Sequence, residues 1–84
     1  MPTTIKEIQE LEHRIQKLRQ KIESYQRVRK WLNDNAKSFL GDVYALECLE
    51  ALDKTLFNWI AYMVAGLNML EKKYKQLLSQ SGGA

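Results

Sequence analysis

A single cysteine and a single histidine stand in 84 residues. One thiol excludes an internal disulfide, and one thiol with one imidazole cannot by themselves furnish a structural zinc site. Proline occurs once, at position 2, and glycine four times, two of them in the last three residues. Between Val43 and Leu78 there is no proline and one glycine, Gly66, so almost nothing in that half of the chain interrupts a helix. The longest uncharged run, Thr55 to Leu70, is sixteen residues and contains two asparagines. A membrane-spanning helix needs roughly 20 apolar residues, so this run predicts a buried helix instead. The opening MPTTIKEIQE has no basic segment leading into an apolar one, as a secretory signal does, and a cytoplasmic location is expected.

Site chemistry is equally sparse. His13 falls opposite the apolar stripe of its helix, with no Asp, Cys or second His at triad or ligand spacing, so it lacks the positioned partner a general base requires. Cys48 has no activating neighbour and is expected to pack as a small hydrophobe. Glu47, Glu50 and Asp53 are spaced three apart, but no Glu-x-x-His element accompanies them as in di-iron bundles; they read as a solvated edge. No glycine-rich phosphate loop is present. The expectation is a non-enzyme with no catalytic residue, metal or cofactor.

What the chain does have is Leu56 to Leu70, LFNWIAYMVAGLNML, with twelve apolar residues in fifteen and no charge. On a helix, Leu56, Ile60, Met63, Leu67, Leu70, Tyr74 and Leu77 alternate spacings of four and three and form one seam. A second seam runs beside it through Cys48, Leu52, Thr55, Trp59, Tyr62, Gly66 and Met69, and Phe57, Val64 and Leu78 widen the arc on the far flank. A surface helix needs an apolar stripe of only about 100°, so a helix this greasy is central in a bundle.

The amino-terminal half is different. Thr4-Ile5-Lys6-Glu7 fits a capping box, and from there Ile8, Leu11, Ile15, Leu18, Ile22, Tyr25 and Leu32 hold one narrow stripe, broken only by Arg29. In a parallel self-pairing, Glu7 would meet Glu12 and Arg14 would meet Arg19, so this helix is biased away from its own copy and toward helix two. Asn33, Asn35 and Gly41 mark a turn, and Asp42 can cap the second helix. Phe39 and Leu40 in the turn suggest that it packs over the bundle end, with Val28 and Trp31 beneath it. A break in helix two near Asp53-Lys54-Thr55 is weakly signalled.

The predicted fold is all-α: one hairpin domain over residues 1–79, with helix one about 5–33, a turn at 34–42, helix two about 43–78 and a frayed tail at 80–84. A chain of this size buries about 64% of its unfolded surface and has a barely sufficient core, so association is the remaining source of stability. The expected form is a homodimeric four-helix bundle, self-associating through Leu52, Trp59, Tyr62, Gly66 and Met69.

Net charge is +3, distributed as −2 over residues 1–12, +6 over 13–37 and −1 over 38–84. Lys17, Arg19, Lys21, Arg27, Arg29 and Lys30, with Tyr25 and Trp31 among them, form a candidate patch for an anionic partner, protein or nucleic acid. The functional expectation is a protein-binding module, acting as an assembly factor, adaptor or inhibitor. Nucleic-acid binding through helix one is the alternative, and peripheral membrane association ranks below it.

Overall fold

The computed structural model describes residues 5–82. Helix α1 spans Ile5–Asn35, a single 3₁₀ turn comes next at Ala36–Phe39, and helix α2 spans Val43–Gly82. The two long helices pack against each other as a hairpin, and no strand occurs among the described residues. The pairs Glu12 with Tyr74, Arg19 with Glu71, Tyr25 with Trp59 and Arg29 with Asp53 run in opposite directions along the chain, so the helices are antiparallel.

The seam expected of each helix is the one that packs. On α1, Leu11, Ile15, Ile22 and Leu32 are buried and Ile8, Leu18, Tyr25 and Arg29 are half-buried. On α2, Ile60 is buried and Leu56, Met63, Leu67, Leu70, Tyr74 and Leu77 are half-buried. The packing extends down the acidic end of α2 through Leu46, Leu49 and Asp53.

Several boundaries and placements differ from expectation. Helix one runs two residues further, to Asn35, whose side-chain amide donates to the Trp31 carbonyl one turn back at 2.8 Å. Neither asparagine takes a left-handed backbone; among the described residues Gly41 alone does, at φ 96°. Asp42 caps α2 as expected, its Oδ1 accepting from the Ala45 N–H at 3.0 Å. The turn does not cover the bundle end: Leu40 is 74% exposed and Trp31 61%. Seven residues suffice to cross between two adjacent helices, which leaves no length to fold back, and Trp31 points off the seam.

Helix two is continuous through Asp53 and beyond the expected end near residue 78. Thr55 donates its hydroxyl to the Ala51 carbonyl one turn back, at 3.0 Å, so it bonds within the helix and does not cap a new one. Asp53 belongs to the packed seam and not to a solvated edge. Of the tail, residues 80–82 continue the helix, while residues 83 and 84 lie outside the described residues, as does Thr4 of the expected capping box.

The hairpin is a rod of 65 × 14 × 14 Å with a radius of gyration of 18.9 Å, against about 12 Å for a compact domain of this length. Its surface is 6909 Å², about a third more than the roughly 5,200 Å² that scaling with mass gives a compact monomer.

Candidate functional site

Assigning heptad letters from the packed seams puts Ile15, Ile22 and Arg29 at a on α1 and Asp53, Ile60 and Leu67 at a on α2. In an antiparallel pair, e positions face e on one side of the rod and g positions face g on the other. The two sides have different chemistry.

The e side carries the polar pairs between the helices, beside exposed Phe57, Val64 and Leu78 of α2. Arg19 pairs with Glu71 at 3.0 Å. Tyr74 donates its hydroxyl to Glu12 at 2.5 Å, and this hydrogen bond to a carboxylate holds the phenol above its ordinary pKa. Arg29 reaches Asp53 with two nitrogens, Nε at 2.7 Å and Nη2 at 3.3 Å, while its guanidinium carbon lies 4.9 Å from the Phe57 ring centre. The hydrogen bonds to Asp53 raise the Arg29 pKa further above an already high value. Arg29 and Asp53 each break an apolar seam, and the two breaks meet. Along the same side runs an open groove of about 480 Å³ between Gln26, Arg29, Phe57, Ala61, Val64 and Asn68.

On the g side α2 is apolar from Leu52 to Gly66, while α1 adds Arg14 and Lys21. Lys21, Tyr25, Trp59, Tyr62 and Met63 line one groove of about 330 Å³, so the second seam of α2 and the g stripe of α1 share a face. The Tyr25 and Trp59 rings meet at 5.9 Å between centres, tilted by 54°, and the Lys21 ammonium lies 5.9 Å from the Tyr25 ring centre. The Tyr25 contact covers Trp59 only in part, leaving it 51% exposed; Leu52 is 47%, Tyr62 79% and Met69 73% exposed. Gly66 is half-buried, and Cys48 is exposed here, not packed.

The structure therefore keeps Leu52, Trp59, Tyr62, Gly66 and Met69 together on one flank and leaves that flank open. It adds Val28, which lies one heptad from Lys21 on the same stripe, and Trp31, three residues further. Sequence spacing alone places both beneath the turn. Their signal lies instead in the pairing rule for antiparallel helices, where g meets g.

The basic residues are divided. Arg19, still exposed, and Arg29 pair with Glu71 and Asp53 of α2, Arg27 donates to the Ser24 hydroxyl at 3.1 Å, Lys17 and Lys21 occupy c and g positions, and Lys30 lines a groove with Arg29. His13 is exposed on α1. Among the described residues no group of three or more His, Cys, Asp or Glu could hold a metal ion, and no helix is long and apolar enough to cross a membrane.

No known family matches the chain, and neither curated proteins nor solved structures give a match.

Proposed function

We propose that this chain is a non-enzymatic protein-interaction module that self-associates through the outer flank of helix two, as a homodimer of hairpins, and acts by occupying a partner's surface as an assembly factor, adaptor or inhibitor. One observation carries the reading. With α1 seated on the inner seam, Leu52, Trp59, Tyr62 and Met69 still form a flank of large apolar side chains, 47–79% exposed and with no charged side chain between them on its g and c positions. Contiguous apolar surface of that kind on a soluble monomer marks a contact site. Surface in excess of a compact monomer's supports the same reading.

Sedimentation at micromolar concentration tests it. The expected result is a dimer, converted to monomer by Trp59→Lys with helicity retained. A monomeric wild-type chain, or a Trp59→Lys variant with unchanged assembly, rejects it. The nucleic-acid alternative predicts a gel shift that fades with rising salt and is lost on charge reversal at Arg27, Arg29 and Lys30, and association with membranes predicts co-flotation with liposomes.

A further inference from the structure

We infer that the pairing is antiparallel and two-fold, helix two on helix two, with Trp59 of each copy filling the notch above Gly66 of the other; this rests on the self-association proposed above.

Gly66 has no explanation inside the hairpin. A Cβ built there meets nothing nearer than the Leu18 Cδ2, at 3.9 Å, which is ordinary contact. Its backbone is ordinary helix, since the only positive-φ glycine among the described residues is Gly41. Glycine in a helix interior is the least favourable residue after proline, and alanine would fit. The hairpin thus carries a local weakness that serves none of its own contacts. What the missing side chain does create is a notch in a flank otherwise made of large residues.

Size complementarity selects the orientation. Trp59 and Gly66 are both g positions one heptad apart. An antiparallel pairing centred midway between them sets Trp59 on Gly66 twice by symmetry, with Tyr62 beside the axis and Leu52 under the stem of Lys73. A parallel pairing sets Trp59 on Trp59 and Gly66 on Gly66, a collision followed by a hole, and both overpacking and cavities are costly.

Charge selects the partner surface. The g and c positions of α2 carry no charged side chain from Cys48 to Met69, whereas those of α1 carry Arg14, Lys17 and Lys21 at the level of Tyr62 to Met69. Laying helix two of one copy on helix one of the other would bury those cations under apolar side chains without an acid to meet them. Helix two on helix two meets only Lys73 at each end, whose stem covers Leu52 while its ammonium stays in water. The area also fits: interfaces of obligate homodimers start at about 2,000 Å² in total, and each hairpin exposes roughly 1,700 Å² beyond a compact monomer of its mass.

Cys48, the sole cysteine and exposed, makes the test direct. A nitroxide attached to it reports the distance between copies by dipolar spectroscopy. At 1.5 Å rise per residue the antiparallel arrangement separates the two labels by about 43 Å. Helix two on helix two in parallel, or helix two running antiparallel to the partner's helix one, brings them within about 20 Å, and the parallel pairing also lets oxidation link the chains through Cys48. A label at Ser79 in a Cys48→Ser background must read about 50 Å, which decides the matter if a label at Cys48 disturbs assembly. The long distances support the inference. Short distances or a disulfide-linked dimer overturn the orientation while leaving self-association standing, and a monomer in sedimentation removes both. Gly66→Ala is the second arm: the hairpin keeps its helicity and is no less stable as a monomer, while the dimer dissociation constant rises by about tenfold or more from overpacking. An unchanged dissociation constant refutes the notch.

Discussion

The two helices share one interface and fare differently in it. Helix one is mostly charged and polar, yet among the described residues it holds four of the five that are buried, Leu11, Ile15, Ile22 and Leu32; helix two is far more apolar and holds Ile60. The difference comes from width. A narrow stripe laid on a broad apolar face is covered from both sides, whereas the broad face is covered only along its middle. Burial therefore depends on how much the neighbour offers, not on how apolar the residue's own helix is. Helix one is covered along its stripe, with Val28 and Trp31 left on the open flank, and helix two is finished only on its inner seam.

The sharpest way to break this contrast is to cut into each region. Ile22→Ala, in the finished seam, should cost about 3 kcal/mol in urea unfolding, because its side chain is 7% exposed and a cavity would remain. Trp59→Lys, on the open flank, should cost the hairpin about 1 kcal/mol at most, since half its ring is already in water and the Tyr25 contact is what it loses. If both substitutions unfold the chain equally, the hairpin has no stability apart from its assembly, and the distinction between inner and outer flank collapses.

A smaller effect separates the helix starts from the seams. Asp42→Ala removes the oxygen that accepts from the Ala45 N–H and should cost about 1 kcal/mol, read as a lower urea midpoint with faster amide exchange at Ala45. Loss of stability without faster exchange there would place the effect elsewhere.

The smallest expected effect concerns pH. Tyr74 is held above its ordinary pKa by its hydrogen bond to Glu12, so the folded state binds the phenol proton more tightly than the unfolded state does. Its contribution is fully present below the unfolded value of about 10 and is lost as pH rises through the folded value. Stability should fall above about pH 10 in the native sequence and fall less in Tyr74→Phe. An identical alkaline profile in the two proteins would mean that the Tyr74–Glu12 bond is not maintained in solution.

Much of the fold is legible in residue spacing. The stripe from Ile8 to Leu32 and the seam from Leu56 to Leu77 pack as their period requires, because a helix offers only one face at that period. Asp42 and Gly41 are equally plain, each being the residue type its backbone position demands. Arg29 and Asp53 are not legible: taken singly, each looks like a fault in a seam, and a lapse near Asp53 looks like a helix break. Only when the helices are set side by side does one fault answer the other, at 2.7 Å.

The open flank divides in the same way. Residue order alone dictates that Leu52, Trp59, Tyr62, Gly66 and Met69 lie on one side of helix two, since position along a helix sets direction. It takes the packing of the two helices to leave this side uncovered, to join Val28 and Trp31 to it, and to give Arg19 and Arg29 carboxylate partners on helix two. Those outcomes depend on which flank faces which across an antiparallel pair, and no single helix carries that relation in its own order of residues.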